Sequence, residues 1–263
     1  MIDSHAHLQF PAFNADRSET IARARDAGVE GIVVVGTDPE TSESAVELAS
    51  SYRLGAAVGL HPHGAVTLCS DVIDHIVELA QNDRVVAIGE TGLDFYRNLS
   101  PANDQIKAFE AQLDVAEQLQ LPVIIHCRQA QDELMTVLRR RAGRLRGVLH
   151  CFSGDETLAR FAIESGLYIS FAGQITYPRA DALREVVRCI PIENILIETD
   201  SPYLPPQKYR GTGRRNEPAY MTETAAMVAE LKGMSLTELD RVTTLNARTL
   251  FSLPSSPDTS PAE

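Results

Sequence analysis

The chain has few cysteines, no long apolar run and no excess of positive charge, and each shortage removes a class of protein. Its four cysteines, Cys69, Cys127, Cys151 and Cys189, are far apart and form no CxxC pair. That excludes a zinc ribbon or a disulfide frame and points to reduced thiols in a cytoplasmic setting. No apolar stretch approaches the roughly 20 residues that a membrane-spanning helix needs, so no membrane partner is expected. The opening MIDSHAHLQF lacks the basic and apolar regions of a signal peptide. Net charge is −12, from 24 basic and 36 acidic residues, which argues against coating nucleic acid by bulk electrostatics. A nuclease whose phosphate contacts are confined to one metal-bearing cleft remains compatible with that charge.

What is present is a regular alternation. Eight short β-type runs can be read: 1–7, 31–37, 54–61, 85–90, 122–127, 147–152, 167–173 and 195–200. Their near-continuous Val, Ile and Leu content suits strands buried on both faces, as in a parallel sheet wrapped by helices. Amphipathic stretches such as DQIKAFEAQLDVAEQLQ (104–120) and DALREVVRC (181–189) lie between them. A βα unit repeated eight times predicts an α/β fold, a single (β/α)8 TIM barrel. Two additional C-terminal helices are expected over 217–233 and 235–251. The barrel domain should thus occupy 1–251, and the Ser- and Pro-rich 252–263 should be a disordered tail.

In such a barrel the chemistry sits at the C-terminal ends of the strands. The first run ends in IDSHAHL, with His5 and His7 one residue apart and so on one face of a strand. The third run ends in His61, the fourth in Glu90, the fifth in His126, the sixth in His150 and the eighth in Asp200. Of seven histidines, five close a strand, His63 lies just beyond one, and His75 falls inside a helical segment. Scattered core histidines would not sort in this way, so a metal site is predicted. Four imidazoles and two carboxylates exceed the needs of one tetrahedral ion. The surplus predicts two divalent ions, Glu90 bridging them, with a bridging water or hydroxide as nucleophile. With no thiolate in the set, Mg²⁺, Mn²⁺, Zn²⁺ and Co²⁺ stay open. Strand alternation points Cys127 and Cys151 away from the ligands, toward the helix layer. Asp3 and Glu198, one layer deeper, either orient the ligand imidazoles or form structural ion pairs lining the barrel.

The series DSHAHL (3–8), GLHPH (59–63), GETGLDFYR (89–97), HCR (126–128), LHCFSG (149–154), ETDSPYL (198–204) and RRNEP (214–218) closely resembles the TatD family of metal-dependent deoxyribonucleases. The resemblance runs from residue 3 to about 251 with motif order intact. It implies a barrel with two divalent metals, the first held by His5, His7 and Asp200, the second by His126 and His150, and Glu90 between them. Asp200 is then also the base, so that Asp200 and Glu90 carry the catalysis. It further implies cleavage of DNA phosphodiesters, as a 3′–5′ exonuclease on single strands, by a metal-bridged hydroxide. An ester or amide hydrolase such as a D-aminoacyl-tRNA deacylase is the alternative that the same ligands would serve. Two departures, Gln129 after the fifth-strand HxR and a lengthened RGTGRRNEP loop (210–218), lie near the mouth and bear on substrate preference.

Substrate contacts are expected at the mouth. His61 matches the family's GxHP element and is placed to reach a phosphate, as is Arg128, directly after Cys127. Arg210, Arg214 and Arg215 follow the eighth run on the catalytic side and suit phosphate oxygens. Tyr203, Tyr209, Phe95 and Tyr96 either stack on unpaired bases or pack their own loops. The denser cluster RRRAGRLR (139–146) ends a helix that runs away from the mouth, so its charges are read as structural.

Overall fold

The computed structural model describes residues 1–141 and 143–254. Eight strands form one sheet in sequence order, every adjacent pair parallel. They are β1 (Ile2–Ala6), β2 (Gly31–Val35), β3 (Gly55–Val58), β4 (Val85–Asp94), β5 (Val123–Arg128), β6 (Gly147–Leu149), β7 (Leu167–Phe171) and β8 (Ile195–Ile197). The sheet closes on itself where Asp200 N donates to His5 O at 2.9 Å and His7 N to Ser201 O at 2.8 Å. Between and after the strands lie α1 (Arg17–Asp26), α2 (Pro39–Tyr52), α3 (Ser70–Leu79), α4 (Ala102–Leu119), α5 (Gln131–Arg139), α6 (Glu156–Glu164), α7 (Asp181–Cys189), α8 (Met221–Lys232) and α9 (Leu236–Phe251). This is the predicted barrel, with α8 and α9 as its C-terminal additions.

Local chemistry explains several boundaries. Asp38 caps α2 by accepting from Thr41 N, while the Thr41 hydroxyl accepts from Asp38 N, and Pro39 supplies a helix-ready first residue. Gly233, at φ 64°, ends α8 in the left-handed conformation that a side chain resists. The fourth strand runs four residues past its predicted end at Glu90, because GETGLD keeps pairing with β5 as far as Asp94 and Arg128. Gly89 makes this possible, since a Cβ there would lie 2.7 Å from Ile124 O. The sixth strand is shorter than predicted: the chain turns after Leu149 and Cys151 takes φ 45°.

The barrel lumen is layered. Its lower part is an apolar plug of Ile2, Val33, Val35, Ala57, Ala87, Ile124, Val148 and Leu196, closed below by Ala247, Leu250 and Phe251 of α9. A second, larger cluster packs the outer faces of the strands against the helices. Above the plug come Ser4, Ser170 and Glu198, linked by hydroxyl contacts at 3.0 Å and 3.5 Å. The apolar floor therefore pushes polar chemistry to the C-terminal end of the strands.

The arginine cluster after α5 lies on the flank. Arg140 bonds Glu110, Arg141 bonds Asp114 and Glu117, and Arg144 bonds Glu117, all on α4. Among the described residues no helix is long and apolar enough to cross a membrane. Of the tail expected over 252–263, residues 255–263 lie outside the described residues.

Candidate metal centre

The predicted ligand side chains converge above the lumen, and Glu90 stands between two groups of donors. Its Oε2 is 3.6 Å from His5 Nε2 and 3.7 Å from His7 Nε2. Asp200 Oδ1 lies 3.8 Å and 3.5 Å from the same two nitrogens, which are 3.2 Å apart. Donors around a tetrahedral ion with bonds of about 2.0–2.1 Å are separated by roughly 3.3–3.4 Å. The donor atoms of His5, His7 and Asp200 thus have close to the spacing of a coordination shell, with Glu90 Oε2 beside the two imidazoles. The other oxygen, Oε1, lies 2.9 Å from His126 Nδ1 and 2.8 Å from His150 Nε2, themselves 3.2 Å apart. His61 Nε2 stands 3.4 Å from Oε1, and His61, Glu90 and His126 together form a trio of donors close enough to hold an ion.

The rings are set by their other nitrogens. His7 Nδ1 donates to Val35 O at 2.7 Å, which leaves Nε2 bare toward Asp200 and Glu90. His126 is turned over relative to the rest. Its Nε2 faces Asp94 Oδ2 at 3.5 Å, and its Nδ1 faces Glu90. Asp94 also accepts from His63 Nε2 at 2.8 Å and from the backbone N–H groups of Tyr96 and Arg97. Asp94 was not singled out from sequence, although its even spacing from Glu90 along one strand was a usable signal.

Charge follows the same plan. Burial pushes the Glu90 carboxyl upward, yet His150, His61 and His126 together hold it well below the usual carboxylate range. Asp200 behaves alike: burial opposes ionisation, and His7, His5 and His150 outweigh it. Its backbone sits at φ 54°, a left-handed conformation that an aspartate tolerates better than most residues. Burial lowers His61 to about 4, so this imidazole is neutral at neutral pH. The donor set of oxygens and imidazoles, with no thiolate in it, fits hard or borderline divalent cations.

The centre opens into a cavity of about 730 Å³, within the range of small-ligand sites. Phe10, Arg97, Arg128, Gln174 and Tyr203 help to line it. Arg128 lies over the Tyr96 ring at 4.0 Å and keeps its guanidinium at the rim. Arg97, Phe10 and Gln174 were not anticipated, because loops without a strand pattern carry them. Cys151 was expected in the helix layer, but the turn after β6 brings it to the cavity wall, where its Sγ accepts from Gln174 Nε2 at 3.3 Å. Cys127 packs against the outer apolar layer as expected but also reaches the cavity lining, and burial pushes its thiol up to about 12.

The other arginines are not among the cavity-lining residues. Arg215 bonds Asp16 Oδ1 at 2.6 Å and covers the Phe13 ring, tying the loop to α1. Arg210 lies over Tyr177 at 4.1 Å, and Arg214 is exposed on the loop. The neighbouring Asn216 donates to Thr199 O and Tyr203 O, on either side of Asp200, while Glu217 pairs with Arg23 of α1. RRNEP therefore braces the Asp200 turn. Asp3 likewise accepts from Thr199 N and Oγ1, at 2.9 Å and 2.6 Å, and pins the end of β8.

Residues 2–252 match the model of the family described as TatD related DNase. The chain is 40% identical over 253 residues to an uncharacterized metal-dependent hydrolase, YabD, of Bacillus subtilis, covering 95% of this chain and 98% of that one. It is 40% identical over 258 residues to the 3′-5′ ssDNA/RNA exonuclease TatD of Klebsiella pneumoniae, covering 96% and 98%. The crystal structure of YJJV, a TatD homologue from Escherichia coli, superposes with a TM-score of 0.91 at 33% identity, covering 97% and 98%.

Proposed function

This chain belongs to the TatD-related DNase family of metal-dependent hydrolases, and from that premise we propose that it is a 3′–5′ exonuclease on single-stranded nucleic acid, working with two divalent ions. The observation that carries this reading is Glu90, whose two oxygens each face a separate pair of imidazoles. In this reading His5, His7, Asp200 and Glu90 would hold one ion, and His126, His150 and Glu90 would hold the other. Divalent ions held there would supply Lewis acidity toward a water and toward phosphate oxygens.

The chain's own groups do the rest. Asp200, kept ionised by the surrounding imidazoles, is the acceptor for the proton of the attacking water. Asn216 steadies the turn that presents it. Neutral His61 offers a hydrogen bond to a phosphate oxygen or to the leaving oxygen. Arg97 and Arg128 at the cavity wall supply fixed positive charge for the flanking phosphates, in a protein whose overall charge is −12. Phe10 stacks on His7 at 4.6 Å and Tyr203 lies edge-on to Phe10 at 6.4 Å, forming an aromatic wall that an unpaired terminal base can use. The names of relatives at 40% identity support the same polarity and substrate.

The test is a digestion of 5′-labelled single-stranded DNA by metal-loaded protein, with duplex DNA, RNA and aminoacyl-tRNA as parallel substrates. A descending ladder with Mn²⁺ or Mg²⁺, abolished by chelator, is the expected result. Hydrolysis of aminoacyl-tRNA with intact DNA would overturn the nuclease assignment in favour of ester hydrolysis.

A further inference from the structure

Beneath the two donor groups lies a carboxylate that the reaction itself does not use. Glu198 is fully buried. Its Oε1 accepts from Cys151 N at 2.7 Å and lies 3.4 Å from His150 Nδ1, and its Oε2 faces Ser4 Oγ at 3.5 Å. One ligand-type atom from each of His5, His150 and Glu198 lies within 4.8 Å of the others. The His5 and His150 rings stack nearly parallel, with centroids 4.0 Å apart and 12° between planes. His5 Nδ1 and His150 Nδ1 are both buried and without a protein hydrogen bond.

These three side chains have the composition of a third cation site, but proton bookkeeping argues otherwise. His5 Nε2 and His150 Nε2 face Glu90, one from each donor group. A nitrogen that ligates from Nε2 leaves the ring proton on Nδ1. Placing a cation at the Nδ1 side as well would require two imidazolates stacked on each other beside an anionic carboxylate. An acceptor is what two Nδ1–H groups need, and Glu198 stands 3.4 Å from His150 Nδ1 and within 4.8 Å of a ring nitrogen of His5.

We propose that Glu198 is a positioning residue shared by both metal sites, fixing the Nδ1–H tautomer of His5 in one and of His150 in the other. The inference rests on the two-ion reading above. One buried side chain would then set the basicity and aim of a ligand on each side of Glu90, so that the two sites gain or lose affinity together. Outer partners of ligating histidines typically contribute about 10–100-fold in metal affinity.

The experiment compares Glu198→Gln with wild type by equilibrium Mn²⁺ titration, with circular dichroism as the check on folding. A glutamine can accept from one Nδ1–H and turns its amide hydrogens toward the other. Weaker binding of both ions, by about 10–100-fold, is expected. Unchanged affinity at both sites in folded Glu198→Gln overturns the proposal, as does weakening at one site alone. If Glu198→Gln does not fold, imidazole nitrogen–proton spectra of Zn²⁺-loaded wild type decide. Slowly exchanging Nδ1 protons on both His5 and His150 support the proposal, and their absence overturns it. A wild-type protein that binds no divalent ion would instead overturn the two-ion reading, which keeps the two failures apart.

Discussion

Replacing Glu90 by Gln is the sharpest perturbation of the centre, because the substitution preserves shape while removing one of two anionic donors. Glu90 Oε1 and Oε2 face different histidine pairs at 2.8–2.9 Å and 3.6–3.7 Å. In the variant one end becomes an NH2 group, which presents hydrogens to nitrogens that must offer lone pairs. At least one ion should be lost. With Mn²⁺ at a hundred times its Kd, each occupied site stabilises the fold by about 2.7 kcal/mol. Two sites contribute about 5 kcal/mol, or roughly 10–20 °C in Tm for a chain of this size. The variant should therefore show at most half the Mn²⁺-induced Tm rise of wild type, with a similar Tm in chelator. Lewis-acid stabilisation of several kcal/mol corresponds to roughly a thousandfold in kcat. Calorimetry with and without Mn²⁺, together with a single-strand digestion assay, measures both effects. Two ions bound with wild-type affinity and kcat within tenfold of wild type would refute a bridging Glu90.

Asp200→Asn should cost about 10²–10⁴-fold in kcat with little change in KM, since it removes a proton acceptor and leaves the cavity wall in place; steady-state kinetics on a short oligonucleotide checks this. Phe251→Ala opens the floor of the lumen and should destabilise the fold by about 3–5 kcal/mol in urea, with kcat at low temperature near wild type, because the plug lies below the polar layer. Asp3 carries a pH signature: burial, with a smaller push from Glu198, raises its carboxyl from 3.8 to about 7 against the hydrogen bonds from Thr199. The folded state then holds a proton that the unfolded chain releases, so this group's contribution to stability falls as pH rises from about 4 to about 7. Asp3→Asn in chelator should remove that slope, worth up to about 4 kcal/mol, with the Thr199 hydroxyl turning to Ser201 Oγ at 3.0 Å. Parallel urea curves for wild type and variant at pH 5 and pH 8 would count against it.

Much was legible in the chain alone because it is written in local periodicity. A run of β-branched residues becomes a barrel strand almost wherever it pairs, and its last inward residue must face the mouth. That is why His5, His7, Glu90, His126, His150 and Asp200 can be gathered from five separate strand ends in the sequence alone. The apolar lower lumen and the polar upper layer follow from the same alternation.

Only the tertiary structure decided matters that depend on where loops cross. Alternation fails once a strand ends, so Cys151, beyond the short β6, swings to the cavity wall. A sequence does not say which nitrogen a histidine presents, and it took Asp94 from β4 to turn His126 so that Nδ1 faces Glu90. The arginines of the 210–218 loop looked alike in the chain, yet an aspartate some 200 residues away in sequence claims Arg215, while Arg97 and Arg128 line the cavity. Charge partners are chosen by distance in space, and only the closed barrel sets those distances.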